Sequence, residues 1–180
     1  MTTYVALIRG INVGATRKLP MAELRAHCAA DGFGEVRTYI QSGNIILSSK
    51  EGGDEVASRL KALITERFKL EVPVIVRTAA QWQGYAAGSP FPDAEAERPN
   101  LLHICLSAEP LADGAAEALQ ARASAKEKLT VKDGTLWCDF GESVGNSKLT
   151  PALFDKAAGS PVTARNWRTV LALAAMLEDA

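Results

Sequence analysis

The order of secondary structure predicted for the first 77 residues is the feature that most constrains the fold. Six segments follow one another: a strand at Thr3–Arg9, a helix from Pro20, strands at Val36–Gln41 and Asn44–Ser48, a helix from Asp54, and a strand at Val72–Arg77. Strand, helix, strand, strand, helix, strand is the order of the ferredoxin-like plait, an antiparallel four-stranded sheet with two helices on one face. Residues 1–77 therefore predict one ferredoxin-like βαββαβ domain.

Local patterns support these elements. In the first predicted helix, Met21, Leu24 and Cys28 recur at positions i, i+3 and i+7, which places them on one helical face. The second and third strands are separated by Ser42-Gly43, which predicts a two-residue hairpin turn.

The second half repeats the order of elements. Residues 78–99 predict a connector, with a short helix at 79–87 and then a stretch without regular structure, because prolines stand at positions 90, 92 and 99. The elements predicted within residues 100–180 are a strand at Leu101–Ser107, a helix at Leu111–Arg122, a hairpin of Lys128–Lys132 and Thr135–Phe140 across Asp133-Gly134, a helix from Pro151, a short strand near 162–164 and a helix at Asn166–Leu177. The fold class is α+β, with two tandem plait-like units.

Charge, hydropathy and cysteine content limit the kinds of partner and the cellular compartment that we expect. The chain has 20 basic and 21 acidic residues, a balance that does not favour a strongly basic nucleic-acid binder. The longest apolar stretch near the C-terminus, residues 171–177, is too short to span a membrane, so we expect no membrane association. Three cysteines without a CxxC pair, and no export signal, predict a reduced cytoplasmic protein.

Three loops at element junctions are candidate ligand sites. The first begins Arg9-Gly10-Ile11-Asn12-Val13-Gly14 and ends at Lys18, where glycines can turn backbone N–H groups towards an anion at the start of a helix. It matches neither GxxxxGK[ST] nor GxGxxG, and its alternative role is a plain connecting loop. The second, residues 141–148 (GESVGNSK), ends in the basic Lys148, and its alternative is a long surface loop.

The third candidate loop is residues 163–169. Asn166 is a good helix N-cap, but Arg165 and Arg168 then lie near the positive end of the helix dipole, which an anion would offset. Trp167 offers a flat face for stacking on a ring, and its alternative role is core packing.

Polar residues of the first hairpin form a fourth candidate. Tyr39, Gln41, Ser42 and Asn44 lie close together, and their alternative role is to build the turn. His27 and His103 have no third partner at metal-ligand spacing, so no metal site and no cofactor is expected.

The motifs RGINVGA…KLPMAEL, YIQSGNII, VPVIVRT and TARNWRTV, taken together and in this order, resemble the bacterial family known as domain of unknown function 1697. The resemblance covers about residues 3–178 and implies a pair of ferredoxin-like plaits but no activity. Ala15 stands where the family's RGINVGG motif has a second glycine. This departure weakens the argument that the loop wraps tightly around a phosphate. The positions that carry the motif are Arg9, Gly10, Asn12, Gly14, Lys18, Tyr39, Gln41, Ser42, Gly43, Asn44, Arg165, Asn166 and Trp167.

The function that these residues favour is binding of an anionic or phosphorylated ligand, such as a nucleotide, in a cleft between the two domains. Three alternatives stay open: single-stranded RNA or other nucleic-acid binding, a small enzyme of unknown reaction, and a protein-interaction module. The last would show an exposed apolar patch. Whether the chain is an enzyme, and its oligomeric state, are left open by the sequence.

Overall fold

A computed structural model of the protein describes residues 1–179. The chain divides into two compact units. Unit 1 comprises Met1–Gln83 and Leu173–Ala180, and unit 2 comprises Gly84–Ala172.

Unit 1 contains an antiparallel four-stranded sheet. Its elements are β1 (Thr2–Ile8), α1 (Met21–Ala30), β2 (Gly34–Tyr39), β3 (Asn44–Ser49), α2 (Gly53–Phe68) and β4 (Val74–Thr78), followed by helix α3 (Ala79–Ala86). The strand order is β2-β3-β1-β4, so the two central strands are β1 and β3, and every neighbouring pair is antiparallel. This is the predicted ferredoxin-like arrangement.

The core of unit 1 lies between the sheet and its two helices. Alternate residues of β1, including Ala6 and Ile8, pack against Leu24 of α1 and Leu60 of α2. As the spacing of their apolar residues predicts, one face of each helix packs on the sheet.

Unit 2 has the same topology. Its elements are helix α4 (Pro92–Glu97), β5 (Leu102–Ser107), α5 (Ala115–Gln120), β6 (Lys128–Lys132), β7 (Thr135–Asp139), α6 (Pro151–Ala158), β8 (Val162–Asn166) and the first part of helix α7 (Trp167–Glu178). The strand order is β6-β7-β5-β8. The fold class of two tandem ferredoxin-like units is thus confirmed.

The second hairpin forms as its sequence predicts. Lys132 pairs with Thr135, and the two turn residues Asp133 and Gly134 have φ values of 50° and 75°. A type I′ turn requires positive φ at both central positions, which Asp-Gly tolerates well.

Three local predictions are wrong, and each has a physical reason. The stretch predicted to lack regular structure contains α4, because Pro92 occupies the first helical turn, where proline needs no N–H partner. Helix α5 is shorter than predicted, since Gly114 at its N-cap is left-handed with φ of 76°. The β2–β3 loop has four residues instead of two, because Tyr39 already pairs with Asn44.

Candidate functional site

The β1–α1 loop and the β2–β3 hairpin meet in unit 1, and we call residues 9–20 together with 40–43 the loop–hairpin surface. Asn12 joins the two segments: its side-chain Nδ2 donates to the carbonyl oxygens of Gln41 at 2.7 Å and Leu19 at 2.9 Å. Its Oδ1 accepts the Leu19 N–H at 2.8 Å. Because three hydrogen bonds occupy this amide, Asn12 shapes the surface rather than facing a ligand.

Asn44 plays a similar part in the hairpin. It is fully buried, and its Nδ2 donates to the carbonyl oxygen of Tyr39 at 3.2 Å and to Ser42 Oγ at 3.0 Å. These bonds favour the alternative role named for the hairpin polar residues, which is to build the turn. The Gly43 carbonyl in turn accepts the Ile8 N–H at 2.8 Å and fixes the hairpin on β1.

The groups left to meet a ligand are those with exposed side chains. Arg17 and Lys18 are exposed, and within residues 1–179 neither pairs with a carboxylate. The guanidinium of Arg17 lies over the backbone of Gly10, whose added Cβ would be 3.6 Å from Arg17 Nη1. Gln41 is exposed on the hairpin that contacts this loop. Arg9, the first residue of the loop, is half-buried.

The backbone of this surface is unusual. Gly10, Asn12, Gly14 and Arg17 have φ values between 53° and 69°, and Ile40 also has a positive φ, of 48°. A β-branched residue in the left-handed region is a genuine outlier. Such strain tends to occur at functional sites, where the surrounding contacts hold it in place.

The third candidate loop, residues 163–169, lies at the β8–α7 junction of unit 2, where most of its side chains have structural roles. Asn166 Oδ1 accepts the Thr169 N–H at 3.0 Å, which confirms it as the N-cap of α7. Trp167 is buried and its ring lies 5.8 Å from that of Trp137, so the ring is part of the core. This favours the packing alternative for Trp167 over stacking on a ligand.

The two arginines of that junction differ in exposure. Arg165 is half-buried, donates from Nη1 to Thr163 Oγ1 and the Ala164 carbonyl at 2.8 Å each, and has its pKa lowered by desolvation to about 10. It therefore remains a cation at neutral pH. Arg168 is exposed on the first turn of α7.

Lys148 lies in unit 2 with residues that the sequence did not single out. It lines a pocket together with Arg122, Lys126 and Glu127. The spacing of these residues gives no known motif, so only the folded contact between the loop after α5 and the loop after β7 brings them together.

Among residues 1–179, no group of three or more His, Cys, Asp or Glu is placed to hold a metal ion. Burial lowers the pKa of His103, whose ring packs edge-on against Phe140 at 5.0 Å. None of the helices described is long and apolar enough to cross a membrane.

Comparison with known proteins agrees with the fold. A family described as "Protein of unknown function (DUF1697)" matches residues 1–137. The chain belongs to the DUF1697 family. The solved structure of the conserved bacterial protein SP0830 from Streptococcus pneumoniae is similar over 99% of each chain, with a TM-score of 0.77 and 24% sequence identity. At that identity the likeness shows the fold alone. No curated protein matches.

The family match separates the candidate residues into two groups. The whole loop–hairpin surface of this DUF1697 protein lies inside residues 1–137, whereas Lys148 and residues 165–168 lie beyond the matched range. Family membership gives no activity, so a function must be argued from the side chains themselves.

Proposed function

We propose that the protein binds a phosphorylated or otherwise anionic small molecule, of which a nucleotide is one example, at the loop–hairpin surface of unit 1. The observation that carries this proposal is the pair of exposed cations, Arg17 and Lys18, with no carboxylate partner in residues 1–179. Residues 9–20 contain three basic and no acidic residues. An anion at this surface would gain attraction without competing with an internal carboxylate.

The start of α1 adds to this potential. The N-cap of α1 is Pro20, which makes no side-chain hydrogen bond to the first turn. The first-turn N–H groups therefore receive no bond from an N-cap side chain, and the positive end of the helix dipole, which Glu23 of the first turn also faces, favours a negative group near the end of the loop.

The hairpin contributes polar groups next to the cations. The Asn12–Gln41 bond holds the two segments together, so exposed Gln41 and Ser42 border the same surface as Lys18. We assign Arg17 and Lys18 to the anionic group, and Gln41 to a polar part of the ligand. Asn12 and Asn44 are positioning residues, since their amides are bonded within the chain.

The test is calorimetric titration of the whole protein with inorganic phosphate and with adenosine monophosphate, at low and high salt. We expect binding that weakens with salt, and about a tenfold loss of affinity or more for Arg17→Ala and for Lys18→Ala, because a hydrogen bond to a charged group contributes about 1.5–3 kcal/mol. Lys61→Ala, an exposed lysine on α2, is the matched control. Unchanged affinity in both loop variants would contradict the proposal.

A second candidate at the same surface is protein interaction. Val13 and Ile40 are 70% and 53% exposed, and each is the chain neighbour of one partner in the Asn12–Gln41 bond. Two exposed aliphatic side chains at adjoining loop tips are the beginning of an apolar contact area. Loss of a protein partner in Val13→Ser with unchanged phosphate binding would favour this second function.

Nucleic-acid binding has less support. Recognition plaits stack bases on aromatic residues of the two central strands. In β1 the aromatic residue is Tyr4, which is 5% exposed and donates its hydroxyl to the Glu51 carbonyl at 2.9 Å. β3 (NIILSS) has no aromatic residue.

A further inference from the structure

Unit 2 contains a pocket of about 520 Å³ between the loop after α5 and the loop after β7. Its volume lies within the range of small-molecule sites, which is about 300–1,000 Å³. The side chains that line it are mostly charged or polar, and Phe140, which is 6% exposed, gives an apolar wall. The pocket shares no residue with the loop–hairpin surface.

Both walls of the pocket are fixed by contacts with each other. Gly141 has φ of 72°, and a Cβ on it would lie 2.5 Å from the Lys126 carbonyl oxygen, so the two loops touch at the backbone. Gly141 N–H also donates to Asp139 Oδ1 at 3.0 Å. A pocket with walls locked in this way loses little entropy when a ligand binds.

Glu127 connects the same two walls from inside. Its side chain is 3% exposed; Oε2 accepts the Ser124 N–H at 2.7 Å and Oε1 accepts the Ser147 hydroxyl. Each carboxylate oxygen has two lone pairs, so one acceptor position on each stays available to a donor in the pocket.

Apart from the carboxylates of Glu127 and Glu142, the charged groups that line the pocket are cations. Lys126 pairs with Glu142, but Arg122 and Lys148 have no carboxylate partner among residues 1–179. Both are exposed at the pocket wall, where an anion can reach them. The pocket thus combines two cations that no carboxylate within residues 1–179 pairs with and one buried carboxylate, Glu127, that can accept hydrogen bonds.

We propose that this pocket binds a phosphorylated polyol, such as a sugar phosphate, with its phosphate on Arg122 and Lys148 and a hydroxyl donating to Glu127. A bare anion satisfies only the cations, and a neutral sugar satisfies only the carboxylate. A compound with both groups satisfies both parts of the pocket. This site is independent of the one proposed for unit 1.

The test is titration of the full-length Arg17→Ala, Lys18→Ala double variant, which lacks the cations proposed for unit 1, with three probes: glucose 6-phosphate, inorganic phosphate and glucose. We expect glucose 6-phosphate to bind at least tenfold more tightly than either of the others. Arg122→Ala and Lys148→Ala each weaken its binding about tenfold or more, because each removes a charge-assisted hydrogen bond. Lys156→Ala, an exposed lysine of unit 2 outside the pocket, is the matched control and leaves the affinity unchanged.

Glu127→Gln separates the two parts of the proposal. The amide oxygen still accepts the Ser124 N–H, and the amide nitrogen can donate to Ser147 Oγ in place of accepting from it, so both wall contacts keep a partner, while the preference for glucose 6-phosphate over phosphate falls. Equal affinity for phosphate and glucose 6-phosphate in the Arg17→Ala, Lys18→Ala double variant would overturn the proposal, as would binding to that variant that Arg122→Ala and Lys148→Ala both leave unchanged. Because Arg17→Ala and Lys18→Ala leave this pocket intact, failure here and failure of the unit 1 site are distinguishable.

Discussion

Asn12 Nδ2 lies 2.7 Å from the carbonyl oxygen of Gln41, and this bond joins two loops that are 29 residues apart in the chain. The same amide closes the β1–α1 loop on itself through both the N–H and the carbonyl of Leu19. The Asn12 side chain therefore helps to fix the position of the loop cations relative to the hairpin.

Replacing Asn12 with alanine removes all three of these hydrogen bonds. We expect Asn12→Ala to lower the free energy of unfolding by about 2 kcal/mol, since each net hydrogen bond contributes about 0.5–1.5 kcal/mol and the site is partly exposed. Urea denaturation measures the change. Thr16→Ala, an exposed residue of the same loop, is the control. An Asn12→Ala midpoint equal to that of the control would show that the loop is held by other contacts.

Gly43 is required at the hairpin for two separate reasons. Its φ is 83°, and an added Cβ would lie 2.8 Å from the Ile8 carbonyl oxygen. We expect Gly43→Ala to destabilise by about 2 kcal/mol or more, because a left-handed non-glycine residue costs about 1–2 kcal/mol before any clash.

Gly14→Ala isolates the backbone part of that cost. Gly14 also has positive φ, 64°, but no atom lies within 4 Å of an added Cβ. Thermal unfolding of both variants compares the two. A decrease in stability for Gly14→Ala as large as that for Gly43→Ala would mean that the contact with Ile8 adds nothing to the cost of the substitution.

The hairpin of unit 1 also shows where sequence prediction ends. Ser42-Gly43 correctly marked a turn, since glycine supplies positive φ there. The sequence did not reveal that Ile40 is left-handed as well, because β-branched residues disfavour that conformation. The extra loop residues follow from tertiary contacts, chiefly Gly43 with Ile8 on the neighbouring strand.

A buried ion pair in unit 2 predicts acid sensitivity. Burial alone raises the pKa of Asp139, but hydrogen bonds from Arg98 and the Gly141 N–H outweigh it and hold the pKa below its usual value. Arg98 Nη2 lies 2.6 Å from Asp139 Oδ2, and the Asp139 side chain is 1% exposed. A carboxyl group with a depressed folded-state pKa stabilises the protein above its unfolded pKa, which is about 3.9.

This contribution is lost as pH falls below about 4 and through the lower folded-state pKa. We therefore expect Asp139→Asn to lower the urea midpoint at pH 7, and the difference from the unmodified protein to shrink towards pH 3. Asp113→Asn, at an exposed position, is the control. A difference between the Asp139→Asn and unmodified midpoints that is constant from pH 7 to pH 3 would contradict the assignment.

The three cysteines behave as small apolar residues of the core. Cys28, Cys105 and Cys138 are buried free thiols, and desolvation raises the pKa of Cys28 and of Cys105 to about 12. We expect no reaction of the folded protein with a thiol reagent such as dithionitrobenzoate at pH 8, and three thiols released in urea. Rapid labelling without denaturant would show that one of the thiols is accessible.

The candidate sites were only partly visible in the sequence. The β1–α1 loop stands out because glycine, asparagine and basic residues follow a strand and precede a helix. Its partner is less visible, because Asn12 and Gln41 meet only once β1 and β3 pair. The pocket of unit 2 left still less signal: Arg122, Glu127 and Lys148 belong to two loops joined by the close approach of Gly141 to Lys126.

The central claim, an anion site on the loop–hairpin surface, is tested most directly by a two-dimensional amide NMR titration of the ¹⁵N-labelled protein with inorganic phosphate. The claim predicts saturable shifts confined mainly to residues 9–20 and 40–43, and their loss in the Arg17→Ala, Lys18→Ala double variant. Shifts that are absent from these residues, or that persist unchanged in the double variant, would contradict it.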